Sequence, residues 1–247
     1  MKPDVTIVLL TWNRAPILPM CLKALYANLS PEVTREIIIW DNASTDGTRE
    51  ILTPYADRKD TRVVFSKRNL RLAAYKKMFD RAKGRIIIEL DDDVRELPPN
   101  FDKTLLEYMD AYPDYGFLAL NPIQNEKTNG AKPLDFPYKD DVRGDKVVEE
   151  GCAGGWCAAF RRRDYWLVRP FVCFFSFRFK RPEDYVLTGL FRRVLRRRDG
   201  LIKNARCLHA CGPIYAREAG LVAREVEKYE AGGCHENAEK TRKGELW

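Results

Sequence analysis

The sequence predicts an α/β domain built on a mainly parallel sheet. Two observations carry that reading. The first 120 residues alternate short apolar runs of strand character with helix-like segments, and each fully apolar run ends in a polar cluster. A chain of 247 residues is long enough to bury one substantial core, which we read as a single compact domain.

Val5–Leu10 is a continuous β-branched and leucine run, the form of a strand buried on both faces. Pro16 opens a helix with Leu18, Leu22 and Leu25 on one side. Glu36–Trp40 is the second strand, and Ser44–Thr48 is a turn and N-cap cluster for a helix through Ile51 and Leu52. Thr61–Ser66 reads as the third strand and Leu70–Lys83 as the third helix, with Gly84 as its C-cap. Arg85–Leu90 is the fourth strand and runs straight into Asp91-Asp92-Asp93. Residues 121–150 hold Pro122, Pro133 and Pro137 among polar residues, which predicts a long surface loop or flap. Strand character returns at Lys146–Val148 and Trp156–Phe160. A helix from Glu183 to about Arg198 repeats apolar pairs every four residues; another, about Glu218–Tyr229, precedes a polar tail expected to fray.

Composition excludes several classes. No run of about 18 uncharged apolar residues exists to span a bilayer. Val5–Leu10 is too short for a signal h-region, so the expected location is cytoplasmic. Seven cysteines at irregular spacing do not form a disulfide framework, and Cys207, Cys211 and Cys234 fit no common zinc spacing. The formal charge is +7, unevenly spread: from Arg161 to Arg206 there are 14 Lys/Arg against 4 Asp/Glu. Such a stripe is read either as a site for a polyanion or as a solvated face.

In open parallel sheets ligands bind at the carboxyl ends of the strands. That rule collects Thr11-Trp12-Asn13-Arg14, Asp41-Asn42 and Asp91-Asp92-Asp93 at one edge. No glycine precedes Gly47, so the first strand–turn–helix has no glycine-rich phosphate loop. Packed carboxylates repel unless a cation neutralises them, and hard oxygen ligands suit Mg²⁺ or Mn²⁺ alongside substrate phosphates. The alternative is a solvated acidic turn.

The segments VTIVLLTWNR, IIIWDNASTDGT and AKGRIIIELDDDV resemble the nucleotide-binding half of family 2 glycosyltransferases of the GT-A fold. Gly154-Gly155-Trp156 with Arg161, then Pro182-Glu183-Asp184, then His209, follow in that family's order, so the resemblance covers residues 4–213. It implies a Rossmann-like nucleotide-binding half over 1–120 and an acceptor and catalytic half over 121–216. Residues 217–247 remain as a C-terminal helix and polar tail. The implied donor is a nucleotide-diphosphate sugar, UDP-linked, and the implied cofactor is Mn²⁺ or Mg²⁺. Thr11 and Asp41 would contact base and ribose, with Asn13, Arg14, Arg71, Asp91, Asp92 and Gly155 completing the donor site. Asp93 would bind the metal and His209 would complete its site. Where relatives carry Asn and Gly before the acidic motif, this chain has Tyr75, Lys76, Lys77 and Met78.

Inverting sugar transfer needs a general base for the acceptor hydroxyl. The resemblance assigns that role to Asp184, with Glu183 as the fallback; both acids also favour a helix N-terminus without any catalytic role. Trp156, Arg161 and Arg181 are the expected acceptor contacts. The segment PEDYVLTGLFR is loosely similar to phage and JBP-associated DNA glycosyltransferases, which makes a hydroxymethylated base in DNA one expected acceptor. A lipid-linked or polysaccharide acceptor, with the basic face against an anionic membrane, is the other. Outside this class stand a sugar-1-phosphate nucleotidyltransferase and a non-catalytic nucleotide-sugar or nucleic-acid binding module.

Overall fold

The computed structural model describes residues 2–127, 132–133, 135–172 and 182–246. Ten strands form one sheet in the order β3-β2-β1-β4-β9-β6-β10-β8-β7, with a short β5 paired to β10. The first four of these positions are β1 (Val5–Thr11), β2 (Arg35–Asp41), β3 (Thr61–Phe65) and β4 (Ile86–Asp91), all parallel. Val5, Ile7, Val8, Leu9 and Ile37 to Ile39 are buried on both faces, as their unbroken apolar runs require. Helices α1 (Leu18–Ala27), α2 (Thr48–Leu52) and α3 (Ala73–Arg81) connect them. The face of α1 carrying Leu18, Leu22 and Leu25 is buried, with Cys21 added to it.

The third helix ends at Arg81, and Gly84 is not its cap. Gly84 donates its N–H to Thr6 Oγ1 at 2.7 Å, and an added Cβ there would lie 2.3 Å from the Thr6 backbone nitrogen. This glycine is needed because two backbones touch.

After β5 (Val94–Glu96) and α4 (Phe101–Ala111), β6 (Tyr115–Pro122) returns to the sheet. The loop expected over 121–150 is partly sheet: β7 (Lys139–Arg143) and β8 (Lys146–Glu150) form an antiparallel edge hairpin turning at Gly144, φ 62°. Its charged outer strand pairs Asp141 with Arg143 and Arg198, and Asp140 with Lys203. Charges of this kind blunt an exposed sheet edge. Next, β9 (Cys157–Arg161) runs antiparallel between β4 and β6, and α5 (Arg162–Val172) follows it. Helix α6 (Glu183–Leu195) stops short of Arg198, because Arg196 turns left-handed at φ 54° and Arg198 opens β10 (Arg198–His209).

The polar tail does not fray. Helices α7 (Pro213–Glu218), α8 (Val222–Ala231) and α9 (His235–Lys243) pack on one another, burying Tyr229, Ala238 and Thr241. Among the described residues no helix is long and apolar enough to cross a membrane.

Gly84→Ala is expected to destabilise the fold by about 3 kcal/mol or more, since backbone rather than a side chain must move. Gly47→Ala, whose Cβ would meet only Ala15 Cβ at 3.6 Å, is the control and should cost far less. Urea unfolding of both variants measures the difference.

Candidate active site

The carboxyl ends of β1, β4 and β10 converge on a cavity of about 600 Å³ lined by Thr11, Arg14, Asp91, Asp93, Asp184 and His209, among others. The late histidine arrives there through β5. This strand follows the acidic motif by one residue and pairs antiparallel with the end of β10, setting His209 opposite Val94. The Ala210 N–H then donates to the Asp93 carbonyl at 2.9 Å. His209 Nε2 lies 3.0 Å from Asp93 Oδ1 and 3.3 Å from Asp91 Oδ2. One ligand atom from each of Asp91, Asp93 and His209 lies within 4.8 Å of the others. Two hard carboxylates with an imidazole form a donor set suited to Mn²⁺ and compatible with Mg²⁺. No cysteine joins this cluster among the described residues.

Electrostatics around the cluster are strong. Burial opposes charge on Asp93, but His209 and Arg14 outweigh it and hold the carboxyl far below its usual range. Burial likewise works against an imidazolium at His209, yet Cys211, Asp93 and Asp91 raise its pKa well above the ordinary value. Arg14 reaches Asp92 Oδ1 at 3.3 Å, Asp93 Oδ2 at 3.2 Å and Glu225 Oε1 at 2.9 Å. Its guanidinium therefore organises acids in the cavity wall, and Asp92, which also lines the cavity, faces this arginine.

Several expected donor contacts also have structural work. Asn13, at φ 49°, accepts the Thr45 N–H at 2.8 Å and donates its own N–H to Ser44 Oγ at 2.8 Å, tying the β1 loop to the β2 loop. Asp41 is fully buried and both carboxylate oxygens are engaged, one by the Ser44 N–H and one by Arg49 Nε. It shapes that loop, and its neighbour Asn42 lines the cavity in its place. Thr11 does line the cavity, with its Oγ1 buried. Arg71 lies on the rim at φ 51°, donating to the Ala231 carbonyl at 3.0 Å.

That last bond marks what the sequence reading missed. Helix α8 closes one side of the cavity with Arg224, Glu227, Lys228 and Tyr229. Arg224 fixes the helix to β1's loop by donating to the Trp12 carbonyl at 3.0 Å and stacking on the Trp12 ring. The available signal was the spacing of Arg224 and Lys228, one turn apart on an amphipathic helix.

Opposite the metal corner, Pro182, Glu183 and Asp184 at the start of α6 line the cavity. Asp184 Oδ2 accepts the Gly155 N–H at 3.0 Å and Oδ1 accepts its own helix's Tyr185 N–H at 2.6 Å. Burial raises the Asp184 pKa, while these two N–H bonds oppose the rise. At Glu183 burial and the Asp184 charge outweigh its hydrogen bonds and push it up to about 8. Glu89 lies beneath, fully buried, with neither oxygen hydrogen-bonded among the described residues. A side chain on Gly155 would sit 2.9 Å from Glu89 Oε1. Gly155 thus lets the loop lie on Glu89 and reach Asp184; it does not line the cavity.

Two expected acceptor contacts are corrected. Trp156 is buried, donates Nε1–H to the Leu120 carbonyl at 2.8 Å and stacks on His209 at 5.8 Å between centroids. It supports the metal corner from behind. Arg161 is buried with its guanidinium on the carbonyls of Met109, Tyr112 and Tyr115 and does not line the cavity. Arg181 lies outside the described residues.

The description "Glycosyl transferase family 2" belongs to a family model that matches residues 6–168. No curated protein matches. Among solved structures the chain is similar to the mannosyltransferase PcManGT of Pyrobaculum calidifontis, solved with GDP-Man and Mn²⁺, at 16% identity and TM-score 0.61 over 98% of this chain and 70% of that one. It is similar to S. aureus TarS 1–349 with UDP-GlcNAc, at 13% identity and TM-score 0.59, over 98% and 70%. A third is GalNAc-T7 with UDP, GalNAc and Mn²⁺, at 11% identity and TM-score 0.62, over 98% and 56%. The chain spans 40% of the longer TarS chain. These likenesses show the GT-A fold. With a family match over well more than half its length, the chain belongs to glycosyl transferase family 2 and is a glycosyltransferase.

Proposed function

We propose that this glycosyltransferase moves a sugar from a nucleotide-diphosphate donor, UDP-linked, to an acceptor hydroxyl, with inversion and with a divalent metal. One observation carries the reading: Asp91, Asp93 and His209 face Asp184 across one cavity of about 600 Å³. The solved relatives with GDP-Man and Mn²⁺ and with UDP-GlcNAc support it. Asp91, Asp93 and His209 would hold Mn²⁺ or Mg²⁺, which supplies Lewis-acid stabilisation of the departing diphosphate. Arg224 and Lys228 of α8 add cationic groups to the cavity wall where phosphates are expected. Thr11, Asn42 and Arg71 line the part expected to take the nucleoside.

Asp184 is the base in this mechanism. Its carboxylate is held by two backbone N–H groups at a helix N-terminus, so its orientation is fixed without a side-chain partner. It takes the acceptor hydroxyl proton as that oxygen attacks the anomeric carbon, and the bond to the diphosphate oxygen breaks on the opposite face. Glu183, largely neutral near pH 7, is a poor candidate for the same role.

The acceptor follows less directly. A hydroxymethylated base in DNA was the first expectation, resting on the PEDYVLTGLFR segment and the basic stripe with its aromatics. Much of that stripe is paired: Arg169 with Asp80, Arg192 with Asp199, Arg198 with Asp114, Asp141 and Glu150, and Lys203 with Asp140. Arg178 and Lys180 lie outside the described residues. A lipid-linked or glycan acceptor needs a less dense basic face and is the reading we favour, with DNA as the second.

The decisive assay incubates the purified chain with a panel of nucleotide sugars and Mn²⁺, then reads nucleotide release with lipid-linked, glycan or hydroxymethylated DNA acceptors. Asp184→Asn is expected to lower kcat by about 10³-fold or more while leaving nucleotide-sugar affinity within a few-fold. Equal loss of binding and turnover would remove Asp184 from the role of base. A second expectation concerns stability without metal. Glu183 carries a folded pKa of about 8 against an ordinary 4.5, so the folded chain keeps a proton the unfolded chain releases. Its contribution to stability is therefore lost as pH rises from about 4.5 to about 8. Glu183→Gln should shrink the fall in Tm across that window, measured by thermal melts.

A further inference from the structure

Helix α5 is apolar on both sides. Tyr165, Val168 and Val172 are buried against the domain. Arg163, Trp166, Leu167, Pro170 and Phe171 face outward at helical spacing. Trp166 is 39%, Leu167 61% and Phe171 45% exposed. An ordinary surface helix turns polar residues to water, so this stripe departs from the pattern. Helix α6 packs beside it and exposes Tyr185, Arg192, Arg193, Val194 and Arg196. Half of the ten exposed large apolar residues in the described chain lie on these two helices, three of them on the outward stripe of α5.

The charges around the patch fit a particular partner. Arg162 and Arg169 lay their guanidinium groups over the Trp166 ring at 5.7 and 5.1 Å. Arg193 and Arg196 form no ion pair among the described residues, and Arg163 shares one buried carboxylate, Asp164, with Arg161 and Arg197. The face is therefore net positive as well as apolar.

We propose that the outer face of α5 and α6 seats on an anionic lipid bilayer. Trp166, Leu167 and Phe171 enter the boundary between headgroups and acyl chains, and the arginines meet lipid phosphates. Duplex nucleic acid would satisfy the arginines but leave the apolar stripe without a partner. Tyr185 adjoins Asp184, so seating by this face holds the cavity's catalytic end near the lipid surface. The surface exists whichever sugar the enzyme uses, so vesicle binding tests it without any transfer assay.

The test is co-sedimentation of the full chain with vesicles of phosphatidylcholine alone or with about 30% phosphatidylglycerol. Wild type should sediment with the anionic vesicles, less with neutral ones, and less as salt is raised. The triple variant Trp166→Ser, Leu167→Ser, Phe171→Ser should lose binding by about tenfold or more. The pair Arg193→Glu, Arg196→Glu should do the same, and both variants should keep the wild-type Tm and Mn²⁺ affinity. No capture of wild type by anionic vesicles overturns the proposal, as does capture indifferent to both variants. A wild-type dimer that the triple variant dissolves, without vesicle binding, assigns the face to a second copy and also overturns it. Duplex DNA bound in place of vesicles, and lost in the arginine variant, does so too.

Discussion

Four acids, Asp91, Asp92, Asp93 and Glu225, come together at the strand ends, and three of them are buried. Removing an unpaired carboxylate from water costs several kcal/mol, so this corner is stable only with cations built into it. Arg14 touches Asp92, Asp93 and Glu225, while His209 touches Asp91 and Asp93. The balance is visible in the acids themselves. Asp93 is held far below its usual range, and Glu225, despite burial, is brought to about 2 by Arg14, Lys228 and Arg224. Arg14 thus does for the protein what the sequence reading assigned to the donor site. It fixes α8 to the sheet and leaves the faces of Asp91 and Asp93 nearest His209 for a cation. An ion held there would need His209 as a neutral imidazole and would itself supply positive charge beside Asp91 and Asp93.

The opposite wall treats two adjacent acids differently. Glu183 and Asp184 share one helix N-terminus, but only Asp184 receives backbone N–H bonds from both the Gly155 loop and its own helix. Hydrogen bonds to the charged form favour it, and burial without them disfavours it. Glu183 therefore sits with Glu89 as an acid pair whose pKa values are both raised, chiefly by burial. Burial raises Asp184 as well, but the Gly155 and Tyr185 N–H groups oppose that rise. The glycines before Trp156 make this possible, because a side chain at Gly155 would occupy the space that Glu89 fills.

The strand framework was legible because buried parallel strands write themselves as unbroken apolar runs, and the strand-end rule then located Thr11, Asp91 and Asp93. Other parts depend on distant partners that no local pattern announces. Asp41 looked like a ligand contact, yet its oxygens close a turn that Ser44 and Arg49 complete. Arg161 looked like part of a basic surface, yet three carbonyls from α4 and the residues after it hold it inside. Lys146–Val148 read correctly as strand, but its partner β7 hid among prolines and charges, because an edge strand needs little apolar content. The α8 wall was hidden for a different reason: Glu225 is paired with an arginine near the opposite end of the chain.

Counting charge along the stripe from Arg161 to Arg206 joined two populations that the fold separates. Inward-facing members such as Arg198 bind the β7 edge and β6 loop to β10 through Asp114, Asp141 and Glu150. Their charge is compensated where they stand, and they contribute little to the field felt by a partner. The outward members are fewer: Arg193 and Arg196 form no ion pair among the described residues, and Arg163, which shares Asp164, is on the same helix as exposed Trp166, Leu167 and Phe171. A polyanion selects for charge density, whereas a lipid surface selects for charge next to apolar area. Separating the compensated arginines from the outward ones removes the first condition and leaves the second.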